Sequence, residues 1–299
     1  MKKKGRLRIA LLSILFLPLG VHAQDTTVMS RMEDSLLTLI DSVYKTPIPE
    51  LRTSVNVRFG KMLVQTLEQP GSYNYPFTKL REKIHIIYPE DKSFRIFNWV
   101  LSYSNFGRHY YGAIQMADGE KLDLHPLKDV SAKHVRDGED IILTEGSWYG
   151  CEYYAVKTVT AAQGEKIYTL LGYNNDGFNT SKKVADVLTF SNGKPVFGSP
   201  VFALPSSKNA GDFKKRFILE YKKGAQVTLN YDSNMNMIVF DRLVSEVNNP
   251  NLKSTYVPAG QTDALEWQDG IWRFTQNAIV PMKLKDGQAP LDGVMQGRN

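Results

Sequence analysis

Two aspartates interrupt apolar, strand-like runs: Asp186 in VADVLTF and Asp241 in IVFDRL. A pair of carboxylates is the machinery of glycoside hydrolysis, and their separation sets the stereochemical outcome. The alternative is an acid on the solvent face of each strand, the commoner place for a charged side chain. A second oxygen-rich stretch is GYNNDGFNTSKK, residues 172–183. Set on an EF-hand frame with Gly177 in the glycine position, it offers Asn174 and Asp176 as ligands, but Gly172 and Lys183 fall where the first ligand and the bidentate acid belong. The stretch therefore reads as a turn in which Asn and Asp accept unusual backbone angles, with Thr180 or Ser181 capping a short helical turn after it. A looser oxygen site on Asp176 and Asn174 is the metal-binding alternative.

Aromatic side chains give a third kind of chemistry. Trp148 and Tyr149 lie together, and Trp267 and Trp272 flank Asp269-Gly270. Flat rings beside Asn and Asp suit a sugar-binding face, and they are also what an antiparallel sheet buries. Cys151 is the single cysteine, so the chain forms no internal disulfide. A catalytic thiolate needs an activating partner, and His109, His125 and His134 form no motif with it. Cys151 reads as a buried free thiol, and His109, beside Tyr110 and Tyr111, as part of a packed strand. No nucleophile elbow, H-E-x-x-H helix, P-loop or paired C-x-x-C occurs, and no cofactor is implied.

The elements that position these residues change character along the chain. Met29, Met32, Leu36, Ile40 and Val43 recur at helical spacing, as do Leu51, Val55, Phe59, Met62 and Leu63. Pro47 and Pro49 suit the start of the second helix, QPG at 69–71 a stop, and PFTKLREKIHII a third, shorter helix. After Lys92, runs rich in Tyr, Phe, Val and Ile alternate with turn residues. Hairpins are expected at Asp118-Gly119, Gly164, Asn192-Gly193, Ser233-Asn234 and Asp269-Gly270. A further one at Lys223-Gly224 sets Phe217, Leu219 and Tyr221 against Val227, Leu229 and Tyr231. The fold class is α+β: N-terminal helices packed on a mainly antiparallel β-meander, as a curved sheet, a sandwich or a partly open barrel. The expected division is a signal peptide at 1–23, a mainly helical segment at 24–92, a β-rich domain at 93–284 and a mobile tail at 285–299.

The start of the chain carries an address. MKKKGRLR is basic, IALLSILFLPLGV is apolar, and VHA places small residues before a cut ahead of Gln24. The apolar run is shorter than the roughly 20 residues a membrane span needs. No second long apolar run follows, so the mature chain has no expected transmembrane span. The formal net charge is +6, and removing the five cations of residues 1–23 (Lys2, Lys3, Lys4, Arg6 and Arg8) leaves +1. A nearly neutral mature chain has no global electrostatic reason to bind nucleic acid.

Three stretches, FRIFNWVLSYSNFGRHYYGAIQ, IYTLLGYNNDGFNTSKKVADVLTFSNGKPVFGSPVF and LNYDSNMNMIVFDRLV, resemble a group of uncharacterised exported proteins of Bacteroidetes-type bacteria. The resemblance spans residues 94–272 and implies a Gram-negative envelope setting, periplasmic or secreted. It brings no activity and no catalytic residues. The expected function is a non-catalytic envelope protein with a binding or structural role, its partner an envelope protein or glycan. The alternatives are an exported hydrolase of glycan or peptide using Asp186 and Asp241, and a carbohydrate-binding module using the aromatic residues. N-terminal sequencing of the protein from the cell envelope is expected to begin at Gln24; an intact Met1 would remove both the export reading and the charge argument.

Overall fold

The computed structural model describes residues 21–104, 107–117, 121–205 and 211–279. Helix α1 (Val21–Lys45) and helix α2 (Pro49–Leu67) form an N-terminal hairpin. Fifteen strands follow: β1 (His85–Ile87), β2 (Phe94–Ser102), β3 (Arg108–Met116), β4 (Leu124–Lys128), β5 (Leu143–Thr144), β6 (Glu152–Thr160), β7 (Lys166–Asn174), β8 (Thr180–Ser191), β9 (Lys194–Phe197), β10 (Phe202–Ala203), β11 (Phe217–Lys222), β12 (Leu229–Asp232), β13 (Met237–Ser245), β14 (Tyr256–Gln268) and β15 (Ile271–Ile279). They build three open sheets, ordered β1-β2-β3-β4, β5-β9-β8-β7-β6 with β11 added on β8, and β10-β15-β14-β13-β12. All pairings are antiparallel except β10 with β15. The α+β expectation holds, and of its three forms the sheets take the stacked, open one.

Alternation along the strands creates four layers. Phe97, Trp99 and Leu101 of β2 face the helices and join Leu36, Ile40, Val43, Phe59 and Leu63. Phe94 and Ile96 point the other way, to Leu170, Val184 and Leu188 of the middle sheet. Leu171, Ala185 and Val187 leave the opposite face of that sheet and meet Leu229, Ile238, Phe240, Leu265 and Trp272 of the third. The middle sheet is covered on both faces, so Leu170, Leu171, Val184, Ala185, Val187 and Leu188 of β7 and β8 are buried whichever way they point.

Pro49 opens α2, where a missing N–H costs nothing. The buried face of α2 is Asn56, Phe59, Leu63 and Leu67, whereas Leu51 is 53% exposed. This turns the helix away from the expected stripe, because Trp99 Nε1 donates to Asn56 Oδ1 at 2.8 Å and draws a polar residue into the core. On α1, Glu33 is fully buried within the apolar stripe. Its Oε1 accepts the backbone N–H groups of Lys79 and Leu80, both at 2.9 Å, and its Oε2 accepts the Tyr75 hydroxyl at 2.7 Å. The segment held this way is not a third helix: it forms one 3₁₀ turn, Leu80–Glu82, and then β1, with Ile84 and Ile86 buried in alternation. The 24–92 segment thus shares a core and a sheet with the strands that follow.

The hairpins at Gly164, Asn192-Gly193 and Asp269-Gly270 form as expected, and Asn192 and Gly193 have φ of 51° and 76°, the left-handed pair of a type I′ turn. β12 and β13 pair around Ser233-Asn234, and β3 and β4 pair although residues 118–120 lie outside the described residues. The hairpin at Lys223-Gly224 does not form. β11 pairs with β8, Phe217 opposite Ala185 and Glu220 opposite Lys182, while β12 joins the third sheet. Residues 1–20 of the expected signal and the 285–299 tail also lie outside the described residues. No described helix is long and apolar enough to cross a membrane.

Asp91, in the β1–β2 turn, ties the first sheet to the middle one. It accepts from Ser93 N at 3.1 Å and Ser93 Oγ at 2.7 Å, and across the layer from Lys166 Nζ at 2.6 Å and Tyr168 Oη at 3.1 Å. Burial alone would raise its pKa, but these donors outweigh burial and hold it at about 2. A depressed carboxylate stabilises the fold fully above its unfolded value of 3.8 and loses that contribution as pH falls through about 2. Asp91→Asn is therefore expected to lower the melting temperature at neutral pH and to flatten its fall between about pH 5 and about pH 2, measured by circular dichroism.

Candidate ligand-binding cleft

Asp186 and Arg216 are both fully buried, with Arg216 Nε 2.9 Å from Asp186 Oδ1. Continuing the register one step beyond the Phe217–Ala185 pair sets Arg216 directly across from Asp186. Asp186 Oδ2 accepts the Tyr153 hydroxyl at 3.0 Å, and that oxygen accepts Trp148 Nε1 at 2.9 Å. Arg216 also donates through Nη1 to the Gly138 carbonyl. Burial opposes the guanidinium charge, but Asp186 more than offsets it and raises the Arg216 pKa. Gly138 must be glycine here, since a Cβ would lie 2.8 Å from the Tyr149 ring and 3.0 Å from the His134 carbonyl. The ring of Tyr149 lies against Arg216, whose Cζ is 5.0 Å from its centroid.

Four residues along β8, on the same face as Asp186, stands Lys182. It is 8% exposed. Glu220 is its cross-strand neighbour. This second pair does not close: Glu220 Oε1 accepts the Thr180 hydroxyl at 2.7 Å, and Lys182 Nζ donates to Tyr149 Oη at 3.3 Å. Among the described residues Lys182 forms no ion pair.

Lys182, Tyr149 and Glu220 line a cleft of about 710 Å³. The cleft follows the edge of β11 that β8 leaves free, between the 135–139 loop, β13 and the start of β14. Its apolar wall includes Phe217, Leu219, Phe240 and Phe274, and its size falls within the roughly 300–1,000 Å³ of ligand sites. Its other acids are occupied internally. Asp241 Oδ2 accepts Thr228 N at 2.7 Å and Thr228 Oγ1 at 2.9 Å. Asp263 pairs with Arg242 and accepts Asn277 N at 2.9 Å. Glu139 Oε1 accepts Ile218 N at 3.1 Å, and burial pushes its carboxyl up.

The structure separates the two aspartates read as a catalytic pair. Asp186 points into the core and is sealed by Arg216, so it is neither a solvent-face acid nor within reach of a substrate. Asp241 lines the cleft from the third sheet without it. As a glycan-binding face the aromatic residues also fail: Trp148, Tyr149 and Trp272 are buried, Trp272 Nε1 bonding Thr169 Oγ1 at 3.0 Å, and half-buried Trp267 bonds the Thr160 carbonyl at 3.0 Å. Tyr149 alone of the four reaches the cleft.

The 172–183 stretch is the end of β7, the turn 175–179 and the start of β8, and its polar groups bond one another and their neighbours. Asn174 Nδ2 donates to the Gly150 carbonyl at 2.6 Å, Asn174 Oδ1 accepts Asp176 N at 2.9 Å, and Asp176 Oδ1 accepts Arg108 N at 2.9 Å. Thr180 and Ser181 begin β8 and cap no helix. Among the described residues no group of three or more His, Cys, Asp or Glu is placed to hold a metal ion. Cys151 is fully buried, and desolvation pushes its thiol well up, against thiolate chemistry. His109 packs edge-on against Tyr111 with centroids 5.0 Å apart.

Sequence reasoning missed Lys182, Arg216 and Glu139. The available signal was parity: Lys182 and Asp186 share one side of β8 with the apolar Val184 and Leu188. Breaking one partner of a buried ion pair costs about 3–5 kcal/mol. Asp186→Asn and Arg216→Met are each expected to destabilise by that amount in urea unfolding, and the double variant by clearly less than the sum. No family model, no curated protein and no solved structure matches this chain.

Proposed function

We propose that the protein is an exported envelope protein that binds a small, largely apolar ligand in the cleft beside β11 and does not transform it. The observation that carries this reading is the cleft itself, an apolar-walled groove along the free edge of β11 with the buried Lys182 of β8 in its lining. A binding role also agrees with how the cleft acids are held, since Asp241 and Asp263 are committed to internal donors. The basic and apolar start of the chain and the resemblance over residues 94–272 support the envelope setting. The hydrolase reading loses its carboxylate pair, and the glycan-module reading loses its exposed rings.

The test uses the mature protein from Gln24 and the neutral fluorophore N-phenyl-1-naphthylamine. Saturable binding of one probe per chain is expected. Leu219→Trp, which fills the cleft from its half-exposed wall, is expected to abolish binding while leaving the circular dichroism spectrum unchanged. Absence of saturable binding, or binding unaffected in the folded Leu219→Trp variant, would overturn the reading.

A further inference from the structure

The geometry points to an anionic amphiphile as the ligand, a molecule with an acidic oxygen head that pairs with Lys182 and an apolar body that lies along Phe217, Leu219, Phe240 and Phe274. This rests on the cleft being a binding site.

Two cross-strand positions on one face of β8 and β11 invite ion pairs, Asp186 with Arg216 and Lys182 with Glu220. Only the first is made. A buried ammonium carries three donors, and a single phenol oxygen at 3.3 Å leaves its charge uncompensated. An unpaired charge in such a place is costly and persists where an outside partner supplies the counter-charge. The phenol cannot supply it, because burial raises the Tyr149 pKa and keeps the hydroxyl protonated. Nearby, Arg216 is paired with Asp186, which leaves Lys182 as the cation of this face of β8 and β11 without an ion pair among the described residues. The cleft also holds Arg136 and Lys253, both exposed, which favour the approach of an anion. Glu220 opposes it, but it is turned to Thr180. A neutral ligand would leave Lys182 as it is, and a cation would meet it directly.

The experiment displaces N-phenyl-1-naphthylamine with octanoate, octyl phosphate and octanol, which share a chain length and differ in the head. Both anions are expected to compete at least tenfold better than octanol, the effect of roughly one charged hydrogen bond. Their order distinguishes a carboxylate head from a phosphate head. Lys182→Met is expected to erase that preference, to leave octanol unchanged and to raise the melting temperature of the ligand-free protein, since it removes an unpaired buried charge. Lys182→Arg is expected to keep the preference. Equal competition by octanol and octanoate, with Lys182→Met as wild type, would overturn the anion assignment while the cleft stands as a binding site. A fall in melting temperature for Lys182→Met would also overturn it, by making Lys182 a structural residue. If the neutral fluorophore itself fails to bind, the underlying cleft reading falls first.

Discussion

The Asp186–Arg216 pair holds together the part of the molecule in which binding is proposed. It joins β8 to β11, fixes the 135–139 loop through the Gly138 carbonyl, and anchors Tyr153 and Trp148 behind it. Without a compensating acid, Arg216 would be an isolated charge in the core. Without Arg216, Asp186 would face Tyr153 and its own strand alone. Each partner also limits the other's conformations, so the pair sets the register of β11 on β8. That register places Phe217 and Leu219 toward the third sheet and Arg216, Ile218 and Glu220 on the face of Asp186 and Lys182. A buried ion pair is weak evidence for net stability, because well-packed apolar residues do as well. Its consequence here is positional: the pair specifies one arrangement of an edge strand that apolar packing alone would leave free to slip by two residues.

β11 is exposed to this choice because it is an edge. Its other side is covered only in part, by the Glu139 side chain at Ile218 N, by the turn Lys253–Thr255 and by β14. Edges of this kind are usually blunted by charge or by cover. In this chain the cover is the 135–139 loop, and the groove it leaves has an apolar wall and, one strand in on β8, the cation of Lys182.

Glu33 and Arg95 are buried polar groups that the protein satisfies. Glu33 caps the turn at Lys79 and Leu80. Arg95 has no carboxylate partner among the described residues and is held by Gln115, Tyr88 and the carbonyls of Tyr75 and Ser72, with Phe77 and Phe97 against its guanidinium. Its burial lowers its pKa, as expected of a cation without an anion. The contrast with Lys182 is in the number of partners. Arg95 has acceptors for each of its nitrogens, whereas Lys182 has one phenol.

The sequence by itself determined the local elements. Helical spacing marked α1 and α2, and the dipeptides Asn192-Gly193 and Asp269-Gly270 marked hairpins, because a tight turn demands positive φ from particular residues. Composition established that a single cysteine forms no internal disulfide, so the core must hold the fold. Tertiary structure decided what depends on residues far apart. The helical reading of 76–87 failed because Glu33, some 45 positions earlier, holds the backbone at Lys79 and Leu80 and Ile86 completes an adjacent strand. β11 pairs with β8 while β12 pairs with β13 in the third sheet, and a short loop permits a hairpin without enforcing one. Asp186 lay in a run apolar on both sides, which signals a strand covered on both faces, yet alternation names only the side on which a residue sits. Whether that side meets water, a guanidinium or an empty groove is set by which sheet is laid against it, and for Lys182 and Asp186, four residues apart on one strand, the answers differ.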